Sequence, residues 1–204
     1  MSGPARRIGL MGIIALLLAG CATTPAVLSP EAAARPQWRA GERWVFIRTS
    51  ATGAVRFVTH EVTGEGPEGY VLRISGPGRD ITQWWTRDLH IARQEVVGRG
   101  TARYDPPAPY FTWPLALGKE WTQTYTYQDE RGAGSYMNRW RIGKEEELVK
   151  VPAGSFMAVR IERLGAGDVP LDTYWYASVV RYWVKLESYA GSYGEELMDR
   201  GSGS

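Results

Sequence analysis

Two hydrophobic patterns run along this chain. From Ile8 to Leu18 the residues are apolar and uncharged, preceded by Arg6 and Arg7. From Trp38 onward, β-branched and aromatic residues recur in runs of about five to nine between clusters of Gly, Pro, Asp and Ser, which predicts strands joined by turns. The clearest run, Trp121-Thr122-Gln123-Thr124-Tyr125-Thr126-Tyr127, sets Trp121, Tyr125 and Tyr127 on one face and three threonines on the other. Successive strand residues point to opposite faces, so one face of this strand is packed and the other is wet. Val151-Pro152-Ala153-Gly154 has the residues of a type I turn and predicts a hairpin between strands around Val149 and Phe156 to Ile161. Glu145-Glu146-Glu147 just before it would alternate faces in a strand, which makes a solvated edge rather than a cation cradle.

Short motifs recur in order. Gly41-Glu42-Arg43-Trp44 returns as Gly118-Lys119-Glu120-Trp121, and Thr82-Gln83-Trp84-Trp85 returns as Thr173-Tyr174-Trp175-Tyr176. The first pair is offset by 77 residues and the second by 91, which places 14 additional residues in the second half, with Glu145 to Ser155 as their natural position. We expect a mainly β domain, an antiparallel and strongly curved sheet of half-barrel or sandwich form, built as two related blocks of about five strands. The blocks span 38–100 and 115–190 within a single domain at 37–200, joined by the proline-rich stretch Thr101 to Ala116. Gly201 to Ser204 is expected to be a flexible tail.

The N-terminal apolar run is too short for a spanning helix, which needs roughly 20 residues, and fits an export signal over 1–20. It closes on Leu18-Ala19-Gly20-Cys21, with the chain's single cysteine, and this segment resembles the lipobox of bacterial lipoprotein precursors. The resemblance implies recognition and cleavage through Leu18, Ala19, Gly20 and Cys21, with a diacylglycerol on the Cys21 thiol and an N-acyl chain on its new amine. Two or more acyl chains hold a protein stably to a membrane, at about 0.8 kcal/mol per buried CH2. Ala22, where the enteric members of this family carry aspartate for inner-membrane retention, implies the outer membrane, facing the periplasm. Residues 21–36 are small and proline-rich and are expected to form a tether reaching at most about 50 Å.

Val151-Pro152-Ala153-Gly154-Ser155-Phe156 and Thr173-Tyr174-Trp175-Tyr176-Ala177, with Gly118-Lys119-Glu120-Trp121 upstream, resemble a group of bacterial envelope domains of no established activity, over Tyr110 to Glu187. The resemblance implies a curved antiparallel sheet and no catalytic role. Where that group often continues with proline, this chain has Ser178-Val179-Val180. A looser analogy is to the half-open barrels of lipoprotein carrier and acceptor proteins, which hold acyl chains.

Composition narrows the function classes. The chain carries 24 Lys+Arg against 22 Asp+Glu, and loss of Arg6 and Arg7 with the signal balances the two signs. Without a basic footprint, nucleic-acid binding is not expected. With Cys21 lipidated, no thiol remains for a disulfide, so the domain must hold by its core alone. Roughly 170 residues suffice, since a domain of that size buries about 70% of its unfolded surface. Nine tryptophans and eleven tyrosines supply much of that core.

Candidate chemistry is sparse. His60 and His90 are the only histidines, too few for a zinc site without cysteine. No G-x-S-x-G elbow is present, and Gly64, Gly66 and Gly69 lie in a turn rather than before the helix that phosphate binding requires. No cofactor is expected beyond the lipid on Cys21, and no metal. The remaining candidates are Trp84, Trp85, Trp175 and Tyr176, adjacent aromatics of which one in each pair enters the core while its neighbour faces a groove or solvent. The leading expectation is therefore a non-enzymatic, lipid-anchored envelope protein that binds an apolar molecule such as a lipid. The alternatives are a structural accessory contacting another envelope protein, and an aromatic-groove glycan binder or glycosidase.

Overall fold

The computed structural model describes residues 33–202. The signal segment and Leu18, Ala19, Gly20 and Cys21 lie outside these residues. Twelve strands follow one another: β1 (Arg43–Ser50), β2 (Val55–Gly66), β3 (Gly69–Gly76), β4 (Arg79–Thr86), β5 (His90–Val96), β6 (Gly100–Pro109), β7 (Glu120–Asp129), β8 (Gly132–Val151), β9 (Gly154–Leu164), β10 (Pro170–Ala177), β11 (Tyr182–Ser188) and β12 (Tyr193–Gly201). Each pairs antiparallel with its neighbours in sequence, and β12 returns to β1, from Arg43 opposite Gly201 to Ser50 opposite Tyr193. The curved antiparallel sheet expected from the sequence thus closes into an up-and-down barrel, neither half-open nor a sandwich. Closure removes the edge strands that an open sheet would expose.

Several expected boundaries move. The proline-rich segment is no linker: Gly100–Pro109 is β6, and its ladder to β7 runs only from Arg103 to Asp105. Pro106, Pro107 and Pro109 have no N–H to donate, which stops the pairing there. Each half therefore holds six strands rather than about five, because the prolines form β6 and residues beyond 190 form β12. Gly201, assigned to the tail, is the last paired residue of β12. At the other terminus the tether ends before Ala33, which exchanges backbone hydrogen bonds with Leu115 at 2.8 and 3.0 Å. Trp38 draws this segment in: it is buried against Trp44, Tyr70, Trp85 and Tyr182.

The recurring motifs occupy matching places six strands apart. Gly41 and Gly118, both with positive φ, open the turns before β1 and β7, and their N–H groups donate to the carbonyls of Val62 and Gly143. In β4 and β10 the ladder to the next strand is broken between Trp84 and Trp85 and between Trp175 and Tyr176. The additional length of the second half lies in the longer β8–β9 hairpin and the single 3-10 turn Ala166–Asp168. Val149 pairs with Phe156 and Val151 with Gly154, as the turn motif predicts. The hairpin shifts register between Ile142 and Glu146, and the Ala153 N–H at its tip donates to the Leu197 carbonyl of β12. Gly69 is required elsewhere, since a Cβ there would meet the Trp85 carbonyl oxygen at 1.8 Å.

An up-and-down barrel has two unlike ends. One carries the turns after β2, β4, β6, β8 and β10 together with the entering segment from Ala33 to Glu42. Here the interior is filled by aromatic rings, including Trp44 stacked on Tyr182 at 4.3 Å and Tyr182 on Trp183 at 3.8 Å. Outside, charged pairs ring the wall, among them Arg73–Asp80 at 2.8 Å and Arg160–Glu162 at 2.6 Å. A lipid-facing barrel would present an apolar band at these positions. Among the described residues, no helix is long and apolar enough to cross a membrane.

Candidate functional site

The opposite end carries the turns after β1, β3, β5, β7, β9 and β11, and below them the barrel holds a cavity of about 380 Å³. That is within the range of ligand pockets, roughly 300–1,000 Å³. Trp140, Tyr110 and Tyr174 form its floor and Tyr193 and Gly191 part of its rim. Its walls are polar where strand alternation would otherwise bring apolar side chains inward. Gln83 and Gln94 face each other from β4 and β5, with Nε2 to Oε1 at 2.7 Å, and the Gln83 oxygen also accepts from Trp85 Nε1 at 3.1 Å. Across the barrel the Gln123 oxygen accepts from Trp140 Nε1 at 3.2 Å, and Asn138 donates to the Tyr125 hydroxyl at 3.4 Å. Arg163 and Asp172, opposite each other in the β9–β10 register, make an ion pair within the same wall.

Tyrosines surround the mouth. The rings of Tyr104 and Tyr125 lie 5.7 Å apart, and Tyr136 stacks on Tyr125 at 5.7 Å with planes 19° apart. Tyr136 is half exposed because β8 from Gly132 to Asn138 has no β9 partner and projects with β7 past the barrel. Burial pushes the Tyr110 and Tyr174 hydroxyls above their ordinary pKa, so both stay neutral and can donate or accept. The result is a chamber of aromatic faces, amides, phenols and one ion pair. Such a lining offers hydrogen-bond donors and acceptors in several directions together with flat apolar surface.

The four aromatic candidates from the sequence are not brought together. Trp85 and Tyr176 point into the packed aromatic end, while Trp84 lies on the outer wall beneath Arg93, whose guanidinium carbon is 4.1 Å from the ring centroid. Trp175 is also on the outside, covered by the β8–β9 hairpin, with Nε1 donating to Glu147 at 2.9 Å and Lys185 4.8 Å from its ring. None of the four lines the polar cavity. Trp84 and Trp85 do both border an outer groove of about 650 Å³ with Pro67 and Val71, a broad concavity with few converging polar side chains. The residues that build the interior cavity were missed, although a signal for them exists. Gln123 shares its strand face with Trp121, Tyr125 and Tyr127, and Gln83 shares one with Ile81 and Trp85.

His60 stands at the seam between the two ends. It is buried, its Nδ1 is 3.0 Å from the Tyr182 hydroxyl, and its Nε2 is 3.9 Å from Glu195, which is itself held by Arg48. Burial pushes its pKa down to about 4, so the ring is neutral at physiological pH. Partial burial also lowers the pKa of His90, on the outer side near Asp88. Among the described residues no three His, Cys, Asp or Glu side chains gather as a metal-ligand set.

Comparison with known proteins adds the following. No family model matches the chain, and no curated protein sequence does. Among solved structures, the hypothetical lipoprotein YmcC from Escherichia coli (K12) superposes with a TM-score of 0.47 at 9% identity, covering 78% of this chain and 84% of that one. A presumed exported protein with a YmcC-like fold from Bacteroides fragilis and a presumed lipoprotein from Parabacteroides distasonis each give 0.37, at 12% and 11% identity, covering 84% of this chain and all of theirs.

Proposed function

We propose that this protein is a lipid-anchored lipoprotein of the bacterial outer membrane, facing the periplasm, whose barrel binds a saccharide in its open end without transforming it. The observation that carries the binding role is the cavity itself, which joins tyrosine faces to converging amides and an Arg–Asp pair. A sugar ring presents an apolar C–H face and a rim of hydroxyls, and each finds its complement there. Inside the aromatic end of the barrel an acyl chain finds no comparable space, because the gap among Trp38, Trp85, Phe111 and Trp183 is only about 10 Å³. That is at the lower limit for one water molecule, roughly 10–15 Å³.

The orientation supports the same role. The chain enters the barrel at the aromatic end, with Ala33 twelve residues after Cys21, so the point at which the anchored segment joins the barrel lies opposite the cavity mouth. Binding rather than hydrolysis is favoured because Asp172 is the one carboxylate among the described residues lining the cavity, whereas glycoside hydrolysis uses a pair. A second function, contact with another envelope protein, is favoured by the projecting edge of β8, where Met137 is 72% exposed beside unpaired backbone.

The test is tryptophan fluorescence of the full-length protein in detergent, titrated with a panel of envelope oligosaccharides. Saturable quenching, abolished in Tyr125→Ala, is expected from Trp140 at the cavity floor. A panel without any saturable response, together with stoichiometric lipid extracted from the purified protein, would return the function to an apolar ligand.

A further inference from the structure

Four arginines occupy inward-facing positions at the open end of the barrel, and one of them, Arg56, opposite Arg48 in the β1–β2 register, is exposed at the rim, where its Nη1 donates to the Pro77 carbonyl at 3.1 Å. Arg48 is neutralised by Glu195, which accepts from its Nε at 2.8 Å, and Arg163 is neutralised by Asp172. Arg79 has no such partner. It sits at the start of β4 on the inward face shared with Ile81, Gln83 and Trp85, and its buried Nε bears no hydrogen bond. The charged and phenolic groups that act on it are Arg48, Tyr193, Glu195 and Tyr110, and His60, which Arg79 also influences, is uncharged. Two carboxylates therefore face the three cations held inside, and Arg79 is the one left over. Tyr193, whose ring lies 4.2 Å from the Arg48 guanidinium carbon, both lines the cavity and neighbours Arg79.

We infer that the saccharide bound in this cavity carries an acidic substituent, a carboxylate or a phosphate, and that Arg79 receives it. This rests on the cavity being a saccharide site. Guanidinium is a planar fork that stays charged, and it matches both oxyanions in a two-point contact. Burial and the neighbouring Arg48 charge both lower the pKa of Arg79, which means that its charge is held at a cost. An incoming anion removes that cost. A neutral sugar would occupy the same tyrosines and amides and leave Arg79 as it is.

The experiment is calorimetry on the full-length protein in detergent micelles, with paired oligosaccharides. One set matches uronate-containing oligosaccharides with their carboxyl-reduced counterparts, and the other matches sugar phosphates with their dephosphorylated forms. A charge-assisted contact, about 1.5–3 kcal/mol, corresponds to acidic members binding roughly 10- to 100-fold more tightly. Arg79→Gln should erase that preference while leaving neutral affinity within about twofold, and Arg79→Lys should restore part of it. The set that shows the preference distinguishes carboxylate from phosphate. A wild-type protein that binds acidic and neutral members equally, or an Arg79→Gln protein that keeps the preference, overturns the inference and leaves the saccharide site standing. Binding of no saccharide at all overturns both.

Discussion

The two ends of this barrel are made by the same strands and solve different problems. At the end where the chain enters, inward positions carry Trp38, Trp44, Tyr182, Trp183 and Phe111, and the rings interlock with almost no free volume. At the other end, inward positions of β4, β7, β8, β9 and β10 carry Gln83, Gln123, Asn138, Arg163 and Asp172 and leave a cavity of about 380 Å³. Aromatic burial dominates the stability of the first end, at about 25 cal/mol per Å² of apolar surface removed from water. Polar side chains contribute far less net energy per group, because each exchanges one hydrogen bond with water for one within the protein. The barrel is thus held together at one end and is free to specialise at the other.

Substitutions should separate these ends, and the largest expected effect concerns the proposed anchor. Replacing residues 1–21 by an export signal whose cleavage does not depend on Cys21 should move the protein wholly from the membrane to the soluble fraction, read by ultracentrifugation and mass spectrometry of the mature N-terminus, while its sugar affinity in solution stays unchanged. Persistent membrane association of this variant would contradict the anchor. Next, Trp38→Ala should destabilise by about 3–5 kcal/mol in urea unfolding, as expected for deleting a buried tryptophan. A loss below 1 kcal/mol would mean that the entering segment does not plug the barrel.

At the seam, His60 makes stability depend on pH. Its folded-state pKa of about 4 lies below the unfolded value of 6.5, so the unfolded chain binds the proton more readily. The stabilisation is fully present above pH 6.5 and is lost as pH falls towards 4, by about 3 kcal/mol at most. His60→Asn should flatten that slope in unfolding curves measured across pH 4–7, and an unchanged slope would assign it to other groups. The open end should respond more weakly in stability and more strongly in binding. Gln123→Leu, which leaves Trp140 Nε1 without its acceptor, should cost about 1–3 kcal/mol. Tyr125→Ala should cost less than that in urea, yet weaken saccharide affinity about tenfold or more, since aromatic contacts each contribute of the order of 1 kcal/mol or more. Equal losses of stability and affinity in Tyr125→Ala would erase the distinction between the ends.

Much of the fold is legible in short stretches of sequence. The strict alternation in Trp121 to Tyr127 marks β7, the Val151-Pro152-Ala153-Gly154 turn places the β8–β9 hairpin, and the recurring motifs fall at strands six apart. The prolines of β6 mislead because strand propensity penalises a missing donor, while a strand with little need of its β7 ladder tolerates it. The functional end is far less legible. Aromatic pairs such as Trp84-Trp85 attract attention as binding residues, yet they serve packing and surface stacking. An inward glutamine signals more, but only once the inward face is known.

What the sequence by itself determined is local: the alternation of faces, the turns, the antiparallel hairpins and an N-terminal segment resembling a lipoprotein signal. Each follows from residues within a few positions of one another, where backbone geometry and turn chemistry act directly. Closure of the barrel was decided only in three dimensions, because the β1–β12 pairing joins Arg43 to Gly201 and depends on the curvature accumulated over every strand between them. The same closure gathered Gln83, Gln123, Arg163 and Asp172 from four separate strands around one cavity and left the buried Arg79 Nε without a hydrogen-bond partner. No local pattern encodes that convergence, since a side chain's partners across a barrel are set by strand number and register and not by its neighbours in the chain.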